Sequence, residues 1–296
     1  MGRLYSPDAS AVAAGSASNI APSADNFRTL LLLVDMRVDF VHTDGSLSVP
    51  GMIRRCPPRV IEWIFRNLPV VTTIAASLDS HVPLSIFFPT WWSGADERGT
   101  RRRYTVIRSD EVRAGALDAA LPAGLVSRIL REAGSAGEKR VDDLAKTHHA
   151  DRHARGTLTP ALYEAVAYPP AARQAQPIFL QKGTIPQTEF YSILEPEVKV
   201  PDHPAGSLNT TFLNTLAGYD RVYVAGEAKS HCVLETVASI TRAFADQPAV
   251  LDKFYLLDDC MSSVAHPTID FEALAQQALA RFAEAGVHLV KSSASM

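Results

Sequence analysis

The sequence predicts an α/β protein: a three-layer α/β/α sandwich around a mainly parallel sheet, with an insertion after the second strand. Three observations predict it. Short apolar runs alternate with segments of helical period, the pattern of strands joined by crossover helices. The first run, Leu30–Val34, is apolar at every position, as expected of a strand buried on both faces. Finally, Asp35, Asp79, Lys182 and Cys232 follow such runs, at the C-terminal strand edges where open α/β sheets gather their binding sites. With 296 residues, 47% of them hydrophobic, the chain can bury the core of one large domain, or of one domain with an insertion.

Taken in order, residues 1–27 are Ala/Ser-rich and polar and are expected to form a disordered N-terminal tail, with the domain spanning 28–296. After Leu30–Val34 and a Gly/Ser/Pro loop through Gly51, a helix is predicted over Arg59–Asn67, with Val60, Ile61, Ile64 and Phe65 on one face. Pro69–Ser77 reads as the second strand, followed by Leu78-Asp79-Ser80-His81. Residues 93–147 are crowded with charge and interrupted by Gly and Ala, as in an insertion packed on the main body, with one helix near Leu125–Glu132. It would serve as a lid, an oligomer contact or a solvated surface excursion. Regularity returns with a helix over Thr159–Val166, Pro160 in its first turn, and a short strand over Ile178–Gln181. A helix over Ser207–Ala217 follows, with Ser207 as N-cap and Gly218 as C-cap. Arg221–Ala225 and Lys253–Leu257 are strands, Phe271–Ala285 an amphipathic helix closed by Gly286, and Val287–Val290 a last strand.

Composition removes several classes of function. A net charge of −3 gives no basis for binding nucleic acid or an anionic membrane. No apolar run approaches the roughly 20 residues of a membrane span. The 3 cysteines, Cys56, Cys232 and Cys260, form neither a disulfide framework nor a CxxC site, which fits a reducing cytoplasm.

The chemistry-bearing stretch is Val222–Val233, a β-branched run ending in Ala225-Gly226, then a polar turn, then Cys232 opening an apolar-periodic helix (Val233, Leu234, Val237, Ile240). Beside a helix N-terminus, the partial positive charge favours the nucleophilic thiolate; a buried, inert cysteine is the alternative. Cys232, Lys182 and Asp35 at one sheet edge would supply the parts of nucleophilic acyl transfer. The lysine would lower the thiol pKa and the aspartate would take and return its proton, while backbone amides of residues 226–232 face the developing oxyanion. Asp79 and His81, two apart in extended chain, can turn toward one metal ion given a third ligand. His148, His149 and His153 are candidates for it.

Four segments carry a resemblance to nicotinamidase-type cysteine hydrolases of the isochorismatase-like superfamily. Leu33-Val34-Asp35-Met36-Arg37-Val38-Asp39-Phe40, followed by Gly45-Ser46-Leu47 and Val49-Pro50-Gly51, resembles the family opening. Ala76-Ser77-Leu78-Asp79-Ser80-His81 is similar to its metal-ligand strand end, Gln181-Lys182-Gly183-Thr184 to its catalytic-lysine segment, and Val224–Val233 to its nucleophile turn. The resemblance implies a catalytic Asp35, Lys182 and Cys232, and a cis peptide at Glu227–Ala228. It also implies an oxyanion hole from the amides of Ala228 and Cys232. A divalent metal (zinc, manganese or iron) would be held by Asp79, His81 and, counting back from Pro160–Ala165, His148. Phe40 matches an aromatic that lines the family's substrate pocket. The family's Trp-Pro-x-His-Cys segment is not reproduced, and Trp91 or Trp92 would supply the ring stack it provides. The implied activity is hydrolysis of a small carboxamide, nicotinamide first, by a cytoplasmic homo-oligomer that binds a small-molecule amide and neither nucleic acid nor membrane. Maleamate or an N-carbamoyl compound is the alternative substrate, and a non-catalytic binding or assembly role the alternative function.

Overall fold

The structure, a computed structural model, describes residues 25–42, 45, 48–49, 56–82, 85–86, 92–93, 118–119, 158, 162–163, 165–167 and 175–296. Leu30–Val34 does what an unbroken apolar run predicts. Strand β1 (Thr29–Val34) is buried along its whole length and sends alternate side chains to opposite faces. Leu30, Leu32 and Val34 enter one hydrophobic layer with Phe212, Val237, Ile240 and Leu279. Leu31 and Leu33 enter the other with Val60, Trp63, Ile64 and Leu162. Two cores on either side of one strand require two helical layers, and the period of 2 in a pleated strand is the cause. Each fully buried leucine contributes about 1.5–3 kcal/mol relative to exposure.

Helix α1 (Val38–Val41) follows β1 at once, and α2 (Cys56–Arg66) leads into β2 (Thr73–Asp79). A two-residue pair, β3 (Trp92–Ser93) and β4 (Asp118–Ala119), stands apart as an antiparallel ribbon. Then come β5 (Ile178–Lys182), α3 (Thr210–Ala217), β6 (Arg221–Glu227), a π-helical turn (Lys229–Val233) and α4 (Leu234–Ala243). The chain ends with α5 (Pro248–Leu251), β7 (Phe254–Ser262), α6 (Phe271–Glu284) and β8 (His288–Val290). Among the described residues the main sheet has 6 strands in the order β5-β2-β1-β6-β7-β8, every neighbouring pair parallel. The α/β class and parallel sheet follow as predicted. Chain order runs outward from β1 on one side and from β6 on the other, so the direction of winding reverses between them. A crevice opens at such a switch point beyond the carboxyl ends of the strands.

Several boundaries move for local reasons. β2 begins at Thr73 rather than Pro69 because residues 67–70 form a turn, closed by the amides of Val70 and Val71 on Asn67 O. It runs on to Asp79 because Leu78 and Asp79 pair with Gln181 and Lys182 of β5. The N-cap of α3 is Asn209, whose Oδ1 accepts from the Phe212 amide at 3.0 Å; Ser207 lies outside the helix. Asp270 caps α6 in the same way, accepting from the Ala273 amide. β7 continues to Ser262 past a register shift opposite Val224 and Gly226. Residues 162–163 and 165–167 are helical where a helix was predicted. The helix predicted near Leu125–Glu132 lies outside the described residues. Among the described residues no helix is long and apolar enough to cross a membrane.

Gly226 is the tightest point of the sheet. It pairs with Val34 at φ +141°, and a Cβ built there would stand 2.1 Å from the Val34 carbonyl oxygen. Neither the conformation nor the space admits a side chain. Gly226→Ala is therefore expected to cost about 4 kcal/mol or more, at the upper end for single substitutions. Equilibrium urea unfolding checks this, and an unchanged midpoint would contradict the packing described.

Candidate active site

Asp35, Lys182 and Cys232 come from three places far apart in sequence and meet at the carboxyl edge of the sheet, beside its switch point. Asp35 follows β1 in the left-handed region, φ 47°, a conformation uncommon outside glycine. Ser77 of β2, fully buried, holds it there. Ser77 Oγ accepts from the Asp35 amide at 2.9 Å and donates to Asp35 Oδ1 at 2.6 Å. The other carboxylate oxygen, Oδ2, lies 2.7 Å from Lys182 Nζ. Lys182, the last residue of β5, also donates to the carbonyls of Phe190 and Tyr191 at 2.6 and 2.7 Å and to Cys232 Sγ at 3.2 Å. Ser77, Phe190 and Tyr191 are the partners that sequence reasoning missed. Ser77 stood inside a quoted motif, whereas a main-chain carbonyl leaves no residue-type signal.

Cys232 does not open the helix. It is the fourth residue of the π-helical turn, a wide turn closed by the Val233 amide on Ala228 O at 3.1 Å, of a kind often found at functional sites. The peptide before that turn, Glu227–Ala228, is cis, as the resemblance implied. Three contacts fix the turn from outside. Lys229 pairs with Glu272 of α6. Ser230 Oγ accepts from the Val264 amide. Thr236 Oγ1 donates to Cys232 O at 2.7 Å and accepts from the Ile193 amide. The segment Phe190–Ile193 is thereby bound both to the ammonium and to the nucleophile turn. Beneath it, Glu227 is fully buried, and burial pushes its carboxyl well above the usual range despite hydrogen bonds with Ser262 and Cys56.

The charge balance differs from the sequence expectation in one respect. Cys232 is 6% exposed. Burial raises its pKa well above the ordinary thiol value, Lys182 pulls it down less, and the Asp35 charge and a hydrogen bond with Asp35 raise it further. The helix terminus and lysine do not make a resting thiolate; desolvation outweighs them. For Lys182, burial opposes the charge, but Asp35 and then Cys232 and Asp79 outweigh it, so the lysine is held protonated beyond its ordinary range. The resting site is thus an ammonium–carboxylate pair facing a thiol.

Next to it runs a buried row of alternating charge. Arg37, fully buried, donates to the Asp79 carbonyl. Its Nη2 lies 3.2 Å from Asp79 Oδ2 and its Nη1 3.6 Å from Asp39. Its guanidinium covers the ring of Phe40 at 4.5 Å. Asp79 Oδ1 stands 2.8 Å from His81 Nδ1, and His81 Nε2 is 2.8 Å from Glu189 Oε1. Burial opposes charge on His81, but Asp79 and Glu189 outweigh it and push its pKa up to about 10. Asp79 is held below the usual carboxylate range, because His81 and Arg37 outweigh the burial that would raise it.

Asp79 and His81 thus each present one donor atom to a common side. A Cβ at Gly183 (φ +76°) would come within 2.8 Å of Asp79 Oδ1 and 3.1 Å of His81 Nδ1, so a missing side chain leaves that side open. One carboxylate oxygen and one imidazole nitrogen suit a zinc, manganese or iron ion, and these two residues fit the implied metal. His148, His149 and His153, like Trp91, lie outside the described residues. Among the described residues no group of three His, Cys, Asp or Glu side chains is arranged to hold a metal.

No protein-family model and no curated protein sequence matches the chain. Solved structures do. The yeast nicotinamidase Pnc1p aligns over 89% of this chain and 99% of its own at 14% identity, with a TM-score of 0.53. The same enzyme bound to the inhibitor nicotinaldehyde gives the same values. PnC1 from L. infantum in complex with nicotinate aligns over 93% and 96% at 19% identity, with a TM-score of 0.49. At 14% identity the likeness is one of fold, and the chain shares the α/β architecture of the yeast protein.

Proposed function

We propose that the protein is a cysteine amidase that hydrolyses a small planar carboxamide, nicotinamide first, to the carboxylate and ammonia. The observation that carries this is Lys182 Nζ, 2.7 Å from Asp35 Oδ2 and 3.2 Å from Cys232 Sγ, at the switch point of the sheet, where topology favours a ligand. An acid, a cation and a sulfur held in that contact supply a base, an electrostatic anchor and a nucleophile.

The buried thiol needs a base in contact with it, and Asp35, hydrogen-bonded to Cys232, takes the first step. Its carboxylate accepts the proton from Cys232 as the sulfur attacks the carbonyl carbon, forming the C–S bond. The developing oxyanion is met by the amides of Ala228 and Cys232, donors on a turn that contacts from α6, Val264 and Ile193 hold in place. Asp35 returns the proton to the departing nitrogen, the C–N bond breaks and ammonia leaves. Water, losing one proton to Asp35, then attacks the thioester; the C–S bond breaks as Cys232 takes that proton back, and the acid product leaves, giving its remaining proton to solvent to become the carboxylate. Lys182 keeps its charge throughout, anchored by the Phe190 and Tyr191 carbonyls, and prevents Asp35 from drifting away from the sulfur. Phe40, with Trp91 from outside the described residues, would hold the ring. A divalent ion held by Asp79, His81 and His148 would supply a Lewis-acid point that binds and orients the substrate's ring nitrogen. Nicotinamide is favoured because the yeast enzyme of like fold is a nicotinamidase whose inhibitor, nicotinaldehyde, carries a carbonyl where the amide carries its own.

Ammonia release from a panel of nicotinamide, pyrazinamide, maleamate and N-carbamoyl compounds tests the assignment. Turnover of nicotinamide is expected. Turnover of maleamate with none of nicotinamide would overturn the substrate, and no ammonia from any amide would overturn the activity.

A further inference from the structure

Glu189 belongs to none of the motifs that mark the site, yet it touches both halves of it. It is 5% exposed, and a single oxygen, Oε1, has two partners. His81 Nε2 lies 2.8 Å away and the Phe190 amide donates to it at 2.7 Å. The Phe190 carbonyl, one residue on, accepts from Lys182 Nζ at 2.6 Å. A carboxylate only accepts, so Nε2 is the nitrogen that carries the proton toward it. The ring's other nitrogen, Nδ1, lies 2.8 Å from Asp79 Oδ1, also an acceptor, so the metal-free ring carries a proton on both nitrogens; a metal on the side Gly183 leaves open would displace the Nδ1 proton, because the Nε2 proton is held by Glu189. Asp79 is divided in the same way, its Oδ2 taken by Arg37 and its Oδ1 turned to His81.

Building on the metal-dependent amidase just proposed, we propose that Glu189 is a positioning residue that selects the His81 tautomer presenting Nδ1 to a divalent metal. It also ties that imidazole to the loop whose carbonyls hold Lys182. A carboxylate behind a ligating imidazole fixes ring orientation and raises ligand basicity, and losing such a partner typically lowers metal affinity about 10–100-fold. The second contact gives Glu189 a consequence that an isolated outer partner would lack. A ring displaced by the metal pulls on Oε1, hence on the Phe190 peptide and the ammonium beside Cys232.

The test uses the full chain, stripped of metal with a chelator and titrated with zinc alone. Glu189→Ala is expected to weaken zinc binding about 10–100-fold. Glu189→Gln, which keeps an acceptor oxygen for both partners, should recover most of the loss. In the zinc-loaded wild-type protein, nitrogen NMR of His81 should show the proton on Nε2 and the metal on Nδ1. Equal zinc affinity in wild type and Glu189→Ala, or a proton on Nδ1 of the loaded protein, overturns the role of Glu189. A wild-type chain that binds no zinc overturns the metal reading itself. Should Glu189→Ala fail to fold, the NMR assignment on the wild type still decides the tautomer.

Discussion

Replacing Cys232 by alanine is expected to lower kcat/KM for nicotinamide by at least about 10^4-fold, the scale on which loss of a covalent nucleophile acts when the rest of the machinery stays in place. The fold should survive. The sulfur sits among Lys182, Asp35 and the hydrophobic layer of β6 and α4, and losing one small atom from a partly polar site leaves the sheet untouched. The Lys182–Asp35 pair at 2.7 Å does not depend on the thiol. Ammonia release under saturating substrate, with circular dichroism on the same sample, separates lost chemistry from lost structure. A variant that is folded and retains more than about a hundredth of wild-type turnover would remove Cys232 from the reaction, because a residual rate that high exceeds what the remaining groups supply.

Asp35→Asn should be damaging twice over. Lys182 is 3% exposed, and removing its carboxylate partner leaves a buried charge with two carbonyls and the Cys232 sulfur as acceptors, a change that costs about 3–5 kcal/mol. The sign with pH follows from the raised lysine. A group whose folded pKa lies above its unfolded value contributes stability that is complete below the unfolded value, about 10.4 for lysine, and lost as pH rises through the folded one. The pair therefore stabilises fully at neutral pH, and the difference between wild type and Asp35→Asn should persist there and shrink only in strong alkali. Activity should fall by at least about 10^3-fold, because the buried thiol loses the group that takes its proton. Urea unfolding and ammonia release on the single variant and on Asp35→Asn/Lys182→Met check both halves. The double variant is expected to regain stability, since an apolar replacement for a buried pair is often neutral or better, while staying inactive. Recovery of activity along with stability would mean that Asp35 has no chemical role.

The groups most legible in the sequence were those at or just beyond the carboxyl ends of strands. Asp35, Lys182 and Cys232 each follow an apolar run, and parallel strands bring their carboxyl ends to one edge; residue type and topology together were enough to put them at that edge, and the contact between them is read from the structure. Asp79 ends β2 for the same reason, and His81, two residues on, lies in contact with it. What could not be read was whatever depends on three-dimensional neighbours without a residue-type signature. Phe190 and Tyr191 act through carbonyls, which every residue has. Glu189 is separated from His81 by the entire insertion and pairs with it only because β2 and β5 are neighbours. Arg37, inside a motif that pointed to Asp35, gave no sign that it would be fully buried between two carboxylates. The protonation of Cys232 was misjudged on physical grounds. A helix terminus and a lysine both favour a thiolate, but burial at 6% exposure outweighs them. Ser207 and Asn209 are both good caps by residue type, and only the position of the first helical turn decides between them.

Mass spectrometry of the protein quenched during turnover of nicotinamide tests the central claim most directly, because a thioester is a covalent mark on one atom. The intact mass is expected to rise by one nicotinoyl group, located after digestion on the peptide that contains Cys232 and absent from Cys232→Ala. An acyl group on any other residue, or ammonia released at full rate by Cys232→Ala, would contradict the account.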